Sequence, residues 1–403
     1  MAMFLMTSLS ACSWFTNDKK PTDIVLDEKS ALLVENSNLF GYNMLNQVLT
    51  TEDENKNVMV SPLSVSEALS MTINGANGNT FTQMKLALGF EGLDLQDINK
   101  SNNTVVNALL NHDPKVTLNI ANSIWYRNDF SPKATFVNDN KTWYNAEVNS
   151  YDPAQLVKAM NTMNNWVDDK TKGKIDKIID NVDPSSVMFL INAIYFKAQW
   201  KTEFKKKDTR NNPFTLDDGT EKEVPTMIGE VELSYYNQDN YSVIKLPYGF
   251  GKFDMLIFLP EEGYTTSDIA GEIANTDISQ LSTLTMKKRD IWLPKFEFSY
   301  ENMLNDELTG LGMTDAFNPG AADFSNISSD KGLYISRVMH KTYIKTDEEG
   351  SEAAAVTAVT MDVTSVGPSG IIKIDHSFLF AIVEEDTQSI LFIGRVYDPT
   401  LSK

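Results

Sequence analysis

Between residues 28 and 49 apolar side chains recur three and four apart, at Leu32, Leu33, Phe40, Met44, Leu45, Val48 and Leu49. That period predicts an amphipathic helix. Ser61-Pro62 opens a second one: Ser caps free amides, and Pro loses nothing where its N–H would go unpaired. Its apolar positions run through Val65, Leu69 and Ile73 and stop at Gly75. From there the pattern changes to strands. "VTLNIANSIWYR" (116–127) alternates and then turns apolar, and "VMFLINAIYFK" (187–197) is nearly continuous, as in a strand buried on both faces. "DMLIFLP" (254–260), "IWLPKFEF" (291–298), "LYISRVMHKTYIKT" (333–346), "FLFAIVEE" (378–385) and "SILFIGRV" (389–396) complete the set, with a helical stretch at 155–170.

The strands do not alternate regularly with helices, which disfavours a doubly wound parallel sheet. The pattern predicts an α+β fold with large, mostly antiparallel sheets. No Pro/Gly/Ser linker divides the chain and no repeat of 20–50 residues occurs, so one integrated domain is expected.

Composition narrows the function. The 403 residues carry a net charge of −20, which argues against a nucleic-acid partner. A basic cluster at Lys201, Lys205, Lys206, Lys207 and Arg210 reads as a solvated turn beside a strand. Catalytic constellations are scarce. The three histidines, His112, His340 and His376, lack helix-turn spacing, and a His/Cys metal site has too few ligands with one cysteine. No G-x-S-x-G, G-x-x-x-x-G-K-[ST] or G-x-G-x-x-G occurs. Ser328-Ser329-Asp330-Lys331 fits S-x-x-K without its companion motifs, a chance match. Neither an enzyme nor a cofactor is expected.

One segment stands out: "EEGSEAAAVTAVTMDVTSVGPSG", 348–370. In an extended chain, side chains alternate between faces. Ser351, Ala353, Ala355, Thr357, Val359 and Met361 share one uncharged face, while Glu352 and Asp362 fall on the other. Pro is absent until Pro368, and Gly350 supplies free backbone at the entry. Such a strand slots into a sheet with its neutral face inward. Composition alone equally allows a surface loop or a short helix around "SEAAA".

From about residue 28 to 400 the motifs resemble the serpins. "NVMVSPLSVSEAL" (57–69) is similar to the family's helix start, and "FLINAIYFKAQWKTEF" (189–204) to its signature, with Asn192, Phe196, Lys197, Trp200 and Phe204 in place. "IFLPEEG" (257–263), "LPKFEF" (293–298), "VMHKTYIKTDEEG" (338–350) and "DHSFLFAIVEEDTQSILFIGRVYDP" (375–399) fit in family order. "IKTDEEGSEAAAVT" looks like the hinge of a reactive-centre loop, with Glu348 in a salt-bridging position and Gly350, Ser351, Ala353, Ala354, Ala355 and Thr357 after it. Ala198 stands where the family usually has Gly, and Ser377 where it usually has Pro.

The resemblance implies a single serpin domain over 28–403 and a suicide-type mechanism. A serine protease attacks the exposed loop, and the cut loop inserts as a strand before the acyl-enzyme can hydrolyse. It also implies a group holding the middle of the sheet, at Ser61, Ser64, Asn192 and His340, with Trp200 where the sheet first opens. Counting from Glu348 puts the reactive bond at Thr364–Ser365. A slightly longer loop leaves Val363 or Val366 open, each pointing to an elastase-like target, and Asp362 would point to an Asp-directed one. Lys and Arg are absent from 347 to 370, so trypsin-like targets are not expected. A non-inhibitory binding protein of the same fold, or an inhibitor of a cysteine protease, stays open.

"MFLMTSLSAC", 3–12, resembles a bacterial lipobox ending at Cys12, though no basic n-region precedes it, so an accidental match stays open. Under that resemblance residues 1–12 are the signal, 13–27 a tether, and the chain an exported, lipid-anchored monomer on a periplasmic or outer surface.

Overall fold

The computed structural model describes residues 20–183, 186–276, 278–329, 332–351 and 370–402. In chain order the elements are α1 (Glu28–Thr51), β1 (Val58–Val60), α2 (Pro62–Ile73), α3 (Gly78–Ala87), α4 (Leu95–Leu109), β2 (Val116–Arg127), α5 (Ala134–Tyr144), β3 (Glu147–Tyr151), α6 (Leu156–Lys170) and β4 (Met188–Gln199). There follow β5 (Arg210–Thr215), β6 (Glu221–Asn237), β7 (Tyr241–Tyr248), β8 (Phe253–Pro260), α7 (Thr266–Ala270), α8 (Ile278–Thr283), β9 (Lys287–Pro294), β10 (Phe296–Met303) and α9 (Asn305–Gly310). The chain closes with β11 (Met339–Asp347), β12 (Gly350–Ser351), β13 (Ile372–Lys373), β14 (Phe378–Glu384) and β15 (Ile390–Val396).

Two sheets organise these strands. One has the order β1-β15-β14-β8-β7-β6-β9-β13, with β5 also on β6; the other runs β10-β11-β12-β4-β2-β3. Pairing is antiparallel except at β2–β3 and β9–β13. This is the α+β architecture that the strand pattern predicts.

β4 is nearly continuous in apolar residues because it packs on both faces. Ile194, Phe196 and Ala198 enter the main core, while Ile191 and Ala193 join a second cluster with Trp125 and Tyr151. Ala159, Met163 and Val167 of α6 close that second cluster, so α6 lies over the outer face of the sheet. α2 lies beneath. Ser61 caps it by accepting from the Ser64 amide at 3.2 Å, and Pro62 follows at the first turn. β14 and β15 are buried at every residue and pair with each other in the other sheet.

Two strand readings need correction. "IWLPKFEF" is not one strand: it breaks at Lys295, with β9 in one sheet and β10 in the other. The Lys295 amide turns away to Pro225 O at 2.8 Å, which lets the chain change sheets. "LYISRVMHKTYIKT" becomes a strand only at Met339; residues 332–338 have no ladder partner and line a groove instead. The departure at Ser377 is accommodated: its amide donates to Thr215 O at 3.1 Å, which proline could not do, and its hydroxyl donates to Tyr397 O at 2.7 Å.

Candidate functional site

The site is the seam between β4 and β11. At its upper end, among the described residues, the two strands are joined through β12 alone. Gly350 and Ser351 pair with Asp347 and Thr346 on one side and with Gln199 and Ala198 on the other. Below Ser351 no ladder among the described residues joins Met188–Lys197 to Met339–Lys345. A groove of about 560 Å³ lies there, with Ser64, Leu69 and Thr72 of α2 as floor and residues 186–192 and 332–341 as walls.

Polar contacts crowd the upper end. Trp200 stacks on Tyr248 with centroids 4.4 Å apart, and its indole N–H donates to Asp347 O at 2.9 Å. The Trp200 and Phe204 amides donate to Glu349 O and Glu348 O, each at 2.9 Å. Glu348 is buried; Lys295 Nζ reaches Oε2 at 2.8 Å and Thr209 Oγ1 donates to Oε1 at 2.7 Å. Burial raises the Glu348 pKa, but these hydrogen bonds outweigh it and hold the carboxyl below its ordinary value. Ser351 turns inward, with Oγ 2.6 Å from Tyr248 OH and 3.3 Å from Thr346 Oγ1. Only glycine fits at 350: φ is +152°, and a Cβ there would lie 2.0 Å from Ala198 O.

The middle of the seam is built differently. His340 Nε2 accepts from the Ser61 amide at 3.0 Å, so it is the nitrogen without the proton. Burial pushes this imidazole down to about 4, leaving it neutral at pH 7. On the opposite edge the Ser64 hydroxyl donates to Asn192 Oδ1, and Asn192 Nδ2 donates to Asn122 Oδ1 at 2.8 Å. Asn122 in turn reaches Glu67 Oε2 at 3.4 Å and Tyr144 O at 3.0 Å. Ser61 Oγ accepts from the Ser64 amide and donates to Leu391 O at 2.6 Å. Thus Ser61, Ser64, Asn192 and His340 do meet, at the start of α2. Each strand edge is tied to that helix, and among the described residues no hydrogen bond between His340 and Asn192 links the edges directly.

Several contributors were not among the expected site residues. Lys295 (within "LPKFEF"), Thr209 and Tyr248 hold Glu348 and Ser351 from positions far away in sequence. Lys206, read as part of a solvated turn, pairs with Glu349 at 2.5 Å. Asn122 and Glu67 extend the middle network; burial raises Glu67 to about 8, so it is protonated at neutral pH. Their only signal was a polar residue inside an apolar run. The hinge positions Ala353, Ala354, Ala355 and Thr357, the reactive-bond candidates Thr364, Ser365, Val363 and Val366, and Cys12 all lie outside the described residues.

The site is thus a sheet in which Gly350 and Ser351 stand between β4 and β11, with an open groove farther along the same two edges. The chain belongs to the serpin family: residues 35–399 match the family model described as serpin, serine protease inhibitor. An uncharacterised serpin-like protein of Methanosarcina acetivorans is 32% identical over 91% of this chain and 86% of its own length. Human serpin B11 is 33% identical over 87% and 95%. Among solved structures, the native state of tengpin, a thermophilic serpin, is 34% identical with a TM-score of 0.83, covering 94% of this chain and 96% of its own. Human thyroxine-binding globulin with its ligand is 32% identical with a TM-score of 0.84, covering 93% and 100%. Among the described residues no helix is long and apolar enough to cross a membrane.

Proposed function

We propose that this chain is a suicide-type inhibitor of serine proteases, elastase-like enzymes foremost, acting as a lipid-anchored monomer on an exported surface. The observation that carries the reading is β12: Gly350 and Ser351 already occupy two rungs between β4 and β11. Strand addition therefore has its first pairs in place, with a seam below them to extend into. A protease that cuts within 352–370 forms an ester on its serine and leaves its acyl group on the N-terminal side of the loop. Insertion down the seam drags the acyl-enzyme away before water completes hydrolysis.

Target class rests on the loop sequence. Thr364, Val363 and Val366 are small or β-branched and suit a shallow specificity pocket, and the loop offers no Lys or Arg. The test is incubation with pancreatic elastase followed by a denaturing gel. A covalent band near the summed mass is expected, with mass spectrometry of the released peptide fixing the bond at Thr364–Ser365. Loop cleavage that leaves the protease fully active overturns the reading. For the anchor, Cys12→Ala should move the chain from the membrane to the soluble fraction; continued membrane association would refute it.

A second reading, a non-inhibitory carrier, is favoured by the likeness to thyroxine-binding globulin and by the groove of about 560 Å³. It predicts ligand binding with no covalent complex. The same gel separates the two.

A further inference from the structure

We propose that His112, Glu384 and Asp386 form a binding site for a first-row divalent metal ion of the zinc class. The three residues come from two distant parts of the chain: His112 follows α4 just before β2, and the carboxylates stand at the turn between β14 and β15. His112 Nε2 lies 3.4 Å from Glu384 Oε1 and 3.2 Å from Asp386 Oδ2. With its side chain only 5% exposed, that nitrogen nevertheless makes no hydrogen bond among the described residues. A buried imidazole nitrogen aimed between two carboxylates without a bond to either is an open ligand position.

The spacing suits a metal. Zinc bonds of about 2.0–2.2 Å to nitrogen and oxygen place tetrahedral ligands about 3.3–3.5 Å apart, close to both contacts seen here. Lys252 Nζ donates to Asp386 Oδ1 at 2.7 Å and Oδ2 at 2.8 Å and to Asp23 Oδ1 at 2.6 Å, so its ammonium competes with an ion for Asp386. The ligands are also pre-oriented: Thr387 donates to Glu384 Oε2 through its amide at 2.7 Å and its hydroxyl at 2.6 Å. The Asp386 amide donates to Glu384 Oε1 at 3.1 Å, and the Ile24 amide to Asp386 Oδ2 at 2.8 Å. Such outer partners fix carboxylate direction and tune affinity. A bound ion would fasten the segment entering β2 to the C-terminal hairpin, and Asp386 already ties that hairpin to residue 24. His112 lies far in sequence from Glu384 and Asp386, so no contiguous motif marks the set.

The untagged, chelator-stripped full chain is the material for the test. Its three histidines make ¹H–¹⁵N imidazole spectra simple to assign. Titration with ZnCl₂ should shift His112 alone, saturating at one equivalent, with MgCl₂ as a negative control. By calorimetry His112→Ala should weaken zinc binding by at least about tenfold, and Lys252→Met should tighten it by removing the competing ammonium. Movement of His376 alone overturns the proposal, as do lack of saturation below about 1 mM and unchanged affinity in His112→Ala. If that variant does not fold, the wild-type spectra decide.

Discussion

The two ends of one seam are held by different chemistry. At the top, β12 joins β4 to β11 by ladder pairing, and Glu348, Trp200 and Tyr248 clamp it. In the middle, His340 and Asn192 face the seam from opposite edges, each tethered to the start of α2. The top is therefore paired through β12, whereas the middle is two edges tethered to one helix that bridges beneath them. Under the proposed mechanism a strand advancing from Ser351 would gain backbone pairs at each step without breaking a ladder described between those edges.

Gly350 separates the two ends most clearly. Gly350→Val would drive side-chain atoms into the Ala198 carbonyl and expel β12, at a cost on the order of 3 kcal/mol. Covalent complex on the gel should fall to near zero, while the pH behaviour of the middle is unchanged. If complex formation persists, the top is not where insertion starts.

The middle answers to pH. His340 titrates at about 4 when folded against an ordinary 6.5. The unfolded chain takes the proton first, so this stability is complete above pH 6.5 and drains as pH falls toward 4. The full loss is about 3 kcal/mol. Glu67 has the opposite sign: its raised folded value, about 8, gives a contribution complete below its ordinary 4.5 and lost as pH rises to 8. The wild-type profile is thus partly flat. Urea unfolding of His340→Gln at pH 7 and pH 5 should expose the difference: with the His340 loss removed, the variant should gain stability on acidification where the wild type stays nearly flat. Glu67→Gln should stabilise the chain at pH 8 by about 1–3 kcal/mol, because a neutral amide no longer resists ionisation.

Smaller effects return to the top. Glu348→Gln keeps the Thr209 contact but loses the ion pair to Lys295. That lysine is 34% exposed, so the loss is discounted to about 1 kcal/mol. In the wild type the depressed Glu348 pKa makes this contribution present above its ordinary 4.5 and lost as pH falls below it. Lys206→Ala should leave unfolding unchanged, since its charge is solvated despite the pair with Glu349.

What the sequence made legible was periodic or contiguous. α1, α2, β2 and β4 follow from spacing and from the Ser61-Pro62 start, and the positions of Glu348, Gly350, Trp200 and His340 follow from contiguous motifs. What it hid was convergence. Lys295 reaches Glu348 across 53 residues and Tyr248 reaches Ser351 across 103, and nothing local in the sequence announces either partnership. Glu67 looked like an ordinary helix acid until packing buried it. "IWLPKFEF" read as one strand because apolar runs report burial, and burial does not say in which sheet.

Cutting the loop once within 352–370 with a protease the chain does not trap, and following thermal unfolding before and after, tests insertion most directly. If the freed N-terminal part enters the seam below Ser351, it adds a strand's worth of pairing, and the midpoint should rise by about 10 °C or more. A midpoint that stays put or falls after a verified single cut would show that the seam does not accept the strand.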